Sequence, residues 1–100
     1  KDAYENKFAH DEELRFKATA RRNKLLGLWA AEKLGKSGAE AEAYAKSVVV
    51  ADFEEAGDED VLRKVKNDFA LAEVTLAETE IRRVMSELLI KAAEEIQAGR

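Results

Sequence analysis

Apolar side chains recur three and four residues apart through most of this chain, the spacing of a helix that turns one face inward. In the first periodic stretch Leu25, Leu28 and Trp29 share a face, and Leu26, Ala30, Ala31 and Leu34 widen it. Gly35 then supplies the left-handed residue that commonly ends a helix. Upstream the pattern thins. Up to Lys24 half of the residues are charged, and Tyr4, Phe8, Leu14 and Phe16 are too dispersed to form a broad stripe. Pairs such as Asp11 with Arg15 and Glu13 with Lys17 add only about 0.2–0.5 kcal/mol each. The first helix is therefore expected from Ala3, or from Asp11, through Leu34, with fraying before about residue 15.

Ser37 and Glu40 have the spacing of a capping box, which predicts a second helix carrying Ala41, Tyr44, Ala45, Val48, Val49 and Phe53 on one face. Asp52 is the polar exception on that face, Val50 falls off it, and Ala56-Gly57 closes the helix. Gly57-Asp58 makes the next turn, with Asp58 as the expected cap and Glu59 and Asp60 in the first turn, within reach of Arg63 and Lys64. Val61, Leu62, Val65 and Phe69 form the third stripe, which should stop near Ala72 although no glycine or proline marks the end. Thr75 with Glu78 offers another capping box, followed by Ile81, Val84, Met85, Leu88, Leu89, Ala92 and Ile96, the cleanest amphipathic pattern in the chain.

Helices joined by short connections pack as antiparallel neighbours, so the prediction is an all-α fold, a small four-helix bundle with a long, partly mobile N-terminal helix. Composition agrees: the 100 residues include no proline and are 46% hydrophobic, enough for one core. The absence of cysteine rules out disulfides and thiolate metal sites, which suits a reducing compartment. No stretch resembles a membrane span or a signal peptide, so a soluble, cytoplasmic protein is expected.

The net charge of −4 conceals a polarity. Residues 1–36 carry nine Lys/Arg against six Asp/Glu, residues 37–60 carry one against eight, and residues 61–100 balance at seven each. The acidic middle would repel a phosphate backbone, which argues against nucleic acid and for a protein partner.

Few residues are placed for chemistry. Gly35-Lys36-Ser37 resembles the end of a phosphate-binding loop, but Ala30 stands where its first glycine belongs, and a helix rather than a strand precedes it. The acidic run Glu54, Glu55, Asp58, Glu59 and Asp60 lacks the glycine and terminal glutamate of a calcium loop at their required offsets. His10 is the sole histidine, so no multi-histidine site can form, and Trp29 reads as a core residue. Arg21, Arg22 and Lys24 could grip a nucleotide phosphate, although pairing with the acidic middle is the commoner outcome for such residues. Neither a metal nor a cofactor is expected, and no set of residues asks for an enzyme.

The runs Lys7-Phe8-Ala9-His10-Asp11-Glu12-Glu13-Leu14, Phe16-Lys17-Ala18 and Ala20-Arg21-Arg22-Asn23-Lys24-Leu25-Leu26-Gly27-Leu28-Trp29-Ala30-Ala31 closely resemble the zeta-subunit family, inhibitors of the alphaproteobacterial rotary ATP synthase. Ala43-Tyr44-Ala45, Ala51-Asp52-Phe53-Glu54-Glu55, Gly57-Asp58-Glu59-Asp60-Val61 and Ile81-Arg82-Arg83 extend the resemblance over almost the whole chain. Residues 70–79 depart from it, with Ala77 where a serine cap often stands, and family members usually carry a short stretch ahead of the position of Lys1.

The resemblance implies an N-terminal inhibitory segment, residues 1–20, borne by a helical bundle, residues 21–100. Such a segment inserts as a helix into a catalytic interface of the synthase head, beside the central shaft, and blocks ATP-hydrolysing rotation. Tyr4, Phe8, Leu14 and Phe16 are then its apolar anchors, while Lys1, Lys7, Asp11, Glu12, Glu13 and Arg15 set register and specificity. The expected partner is the catalytic head, with no nucleic acid and no direct membrane insertion. The free protein is expected to be a monomer, and its location cytoplasmic, peripheral to the inner membrane through the synthase. The alternative is a nucleotide-sensing bundle that regulates a protein partner through Arg21, Arg22 or Lys24.

Overall fold

The computed structural model describes residues 12–54 and 57–99, with side chains at 13–52 and 57–99. Four helices run through them: α1 (Glu12–Lys33), α2 (Gly38–Glu54), α3 (Asp58–Leu71) and α4 (Glu78–Gln97). They form the small four-helix bundle expected, with α1 packed most extensively, against α2 on one side and α4 on the other. Helix α3 closes against α2 and touches α4 more lightly. The predicted start of the first helix at Ala3 or Asp11 lies outside the described residues; helix is already regular at Glu12 and continues unbroken past position 20.

The core gathers Leu26 and Ala30 from α1, Val48 from α2, all four apolar residues predicted for α3, and Ile81, Val84 and Met85 from α4. Trp29 packs at its edge, 5.9 Å from the Phe69 ring and tilted against it, with the Lys33 ammonium over the Trp29 ring at 5.8 Å. The inward face of α1 is rotated from the expected one. Arg22, Asn23, Leu26, Ala30 and Ala31 are buried, whereas Leu25, Leu28 and Trp29 are half-buried. The rotation follows from contact on two sides: Gly27 meets α2 so closely that an added Cβ would stand 2.5 Å from the Ala45 Cα. Small residues on that side let the two backbones approach, and the opposite side takes α4.

The helix ends explain how the short connections are built. At the end of α1, Gly35 takes φ +80°, its N–H donates to the Glu32 carbonyl, and the Lys36 N–H reaches back to Ala31 at 2.8 Å. The end of α3 repeats this motif without glycine: Glu73 takes φ +61°, its N–H donates to Ala70, and the Val74 N–H donates to Phe69 at 2.8 Å. The turn carries Val74 and Leu76 back onto the core.

Three predicted caps are corrected. At α2 the Ser37 position is right, but the bonds there are from the Glu40 and Ala41 N–H groups to the Ser37 carbonyl, not its hydroxyl. Gly57, at φ 137° and ψ 140°, caps α3 in place of Asp58, which becomes the first helical residue and turns its carboxylate to Arg22. Helix α4 starts at Glu78 with Ala77 as its cap, so Thr75 lies outside it and Glu78 pairs instead with Lys66 and Arg82. The acidic exception in α2, Asp52, accepts the Gly57 N–H at 3.3 Å.

Candidate partner-binding segment

The described part of the proposed interaction segment is the base of α1. Lys1, Tyr4, Lys7, Phe8 and Asp11 lie outside the described residues, and Glu12 is described in its backbone alone. Glu13 and Arg15 are exposed, and Glu13 pairs with Lys17 at 3.3 Å. Phe16 keeps 59% of its surface in solvent, an unusual exposure for a large aromatic on a bundle helix. Leu14 is 8% exposed and belongs to the core in this conformation, so it fastens the base of the segment to the bundle. Leu14 and Phe16 are thus on opposite duties, two residues apart on one helix.

The next turn is committed to the bundle. Arg22 is 1% exposed, donates through Nε to the Asn23 side-chain oxygen at 2.9 Å, and donates through Nη2 to Asp58 at 2.7 Å. Burying a guanidinium is costly unless it is paired; the bond to Asp58 ties the middle of α1 to the first turn of α3, and the bond to Asn23 satisfies the guanidinium within α1. Arg21 donates to Glu95 of α4 at 3.0 Å, while Lys24 is exposed. The three cations singled out as nucleotide candidates therefore point to three places: α3, α4 and solvent.

Other charges also pair between helices. Arg82 grips Glu59 with two parallel bonds of 2.9 and 3.0 Å and Glu78 with a third, and Lys66 reaches Glu78 at 2.8 Å. Glu59 thus serves Arg82 across helices rather than Arg63, which binds Asp60, and Lys64 binds Asp68 rather than Asp60. The Arg82 bonds hold the Glu59 carboxyl below the usual carboxylate range, and those from Lys66 and then Arg82 do the same for Glu78. Burial, with a 2.7 Å bond to the Asp68 carboxylate, pushes the Tyr44 phenol well above its ordinary value. Its hydroxyl remains a proton donor that locks α2 to α3. Among the described residues no group of His, Cys, Asp and Glu could hold a metal ion, and no helix is long and apolar enough to cross a membrane.

A bundle whose inner charges pair with one another, while its first helix offers an exposed aromatic beside exposed charges, has the form of a small helical binding protein. The family model of the ATPase inhibitor subunit zeta matches residues 1–95, and the chain belongs to that family, one of regulatory rather than catalytic proteins. A solved structure described as the solution NMR structure of the protein is 52% identical, with a TM-score of 0.75, covering 87% of this chain and 99% of its own. No match was found among curated proteins.

Proposed function

We propose that this protein inhibits ATP hydrolysis by the rotary ATP synthase, its N-terminal helix entering a catalytic interface of the head beside the central shaft. The family supplies the ATPase-inhibitory role. The exposed Phe16, flanked by Arg15 and anchored from behind by Leu14, is the observation that carries the placement of the binding surface. The proposed interface also takes in Lys1, Tyr4, Lys7, Phe8, Asp11, Glu12 and Glu13, which precede Phe16 in the sequence. The partner is the catalytic head, and the protein reaches the inner membrane only through it.

An aromatic side chain that passes from solvent into an interface is a typical source of binding energy, and the charges around it steer and align the encounter. Phe16→Ser should leave the bundle folded, which thermal melting checks, because Phe16 lies outside the core and keeps 59% of its surface in solvent. It should raise the concentration needed for half-inhibition of the cognate synthase head by at least about tenfold. Unchanged inhibition by the folded variant would remove Phe16 from the interface and with it this placement.

A further inference from the structure

The outer face of α2 carries a feature that the inhibitory segment does not use. Ala39, Ala43, Lys46 and Val50 follow one another at intervals of four, three and four residues, and all are exposed. Val50, off the inward stripe, keeps 40% of its surface in solvent. Two adjoining shallow grooves run along this face. One, of about 400 Å³, is lined by Lys24, Glu42, Ala43, Lys46 and Val49; the other, of about 540 Å³, by Ala43, Lys46, Ser47, Val50, Ala51 and Lys64.

The charges lining the grooves are unbalanced. Three lysines, one from each of three helices, face a single carboxylate, Glu42. Lys64 is engaged with Asp68 and lies over the Tyr44 ring. Lys24 and Lys46 pair with no carboxylate among the described residues, although Lys46 stands in the acidic stretch of residues 37–60.

From this we infer that the outer face of α2 is a second docking surface, which seats an acidic amphipathic helix of the ATPase head. A helix fits because small side chains at Ala39 and Ala43 allow a neighbouring backbone to come within the 8–10 Å typical of packed helices. Val50 supplies an apolar contact beyond them. Acidic residues fit because Lys24 and Lys46 flank the seat with unpaired positive charge, and complementary charge sets register and partner choice. The inference rests on the proposed function, in that the head is the partner. The bundle then acts as an anchor: two linked contacts hold more tightly than either alone, provided both can engage together.

The test is the affinity of the purified cognate head for the full chain, for the Lys24→Glu/Lys46→Glu variant, for the Lys24→Arg/Lys46→Arg variant, and for Ala43→Trp, which fills the seat. All three positions changed are exposed, and far-UV circular dichroism with thermal melting checks that each variant folds. The inference expects the charge-reversed variant and Ala43→Trp each to bind at least about tenfold more weakly, the arginine pair to bind like the wild type, and salt to weaken the wild type more than the reversed variant. Equal affinity of a folded reversed variant and the wild type overturns the second surface while leaving the inhibitory segment standing. Failure of the wild type itself to bind the head overturns the proposed function and this inference together. If sedimentation shows that the variants abolish a dimer while head binding is unaltered, the face pairs copies of this chain and the inference is again overturned.

Discussion

A Cβ placed on Gly27 would lie 2.5 Å from the Cα of Ala45 and 3.1 Å from its Cβ, so α1 and α2 meet where nothing larger than hydrogen fits. The obstruction is backbone, which cannot turn aside as a flexible side chain would. Gly27→Ala gains up to about 1 kcal/mol of helix propensity. Forcing the helices apart costs typically about 1–3 kcal/mol, and the whole α1–α2 contact resists the shift. A net loss of stability is expected, read as a lower urea midpoint. A variant as stable as the wild type would show that the crossing has room.

The Arg22–Asp58 pair is asymmetric: the Arg22 side chain is 2% exposed and that of Asp58 61%. Removing the carboxylate strands a buried cation, whereas removing the guanidinium leaves a carboxylate already in water. Breaking a fully buried pair from one side costs about 3–5 kcal/mol, and the exposure of Asp58 brings the expected cost of Asp58→Ala toward the lower end or below it. Arg22→Met, which keeps much of the apolar volume, is expected to cost less. Chemical unfolding of both variants decides the order, and the reverse order would contradict this reading of the pair.

Glu73 holds a left-handed backbone, φ +61°, at the turn that follows α3, where Gly35 and Gly99 serve the corresponding turns after α1 and α4. Glu73→Gly removes the clash of Cβ with the carbonyl, worth roughly 1–2 kcal/mol, and adds freedom to the unfolded chain. A net gain of about 0.5–1 kcal/mol is expected, measured as a raised midpoint of urea unfolding.

The carboxyls of Glu59, Glu78 and Glu80 are each held below the ordinary value of 4.5, chiefly by hydrogen bonds from Arg82, Lys66 and Arg83 respectively. A folded-state value below the unfolded one stabilises the protein above the unfolded value, and the contribution is lost as pH falls through the lowered folded values. These groups should leave stability flat from neutral pH to about pH 5 and withdraw support below about pH 4.5. Their side chains are 68%, 41% and 42% exposed, so the effect is small and shrinks in high salt. Urea midpoints of the wild type and Glu59→Gln across pH check this: any difference at neutral pH should vanish in acid.

Period and charge made much of this fold legible. The third stripe is buried as read, from Val61 through Phe69, because α3 has one inward face and one set of neighbours. The face of α1 was harder, since contact on two sides buries Arg22 and Asn23, and burial of a paired arginine leaves no trace in hydrophobic period. A signal was nevertheless present: Arg22 and Asn23 stand four residues before Leu26 and Gly27. The cap at α3 is not legible in the sequence because side-chain capping competes with pairing to distant charges, and Asp58 pairs with Arg22. In the segment read as partner-binding, sequence grouped Leu14 with Phe16 as apolar anchors, and only packing separates the buried residue from the exposed one.

The most direct measurement is ATP hydrolysis by the cognate synthase head with the full chain added, and separately with a chain lacking residues 1–11. That cut spares Leu14 and the whole described bundle, and thermal melting confirms that the shortened chain folds. Inhibition by the full chain is expected, with its loss, or a rise of at least about tenfold in the concentration required, for the shortened one. Equal inhibition by both would contradict insertion of the N-terminal helix and place the inhibitory contact on the bundle itself.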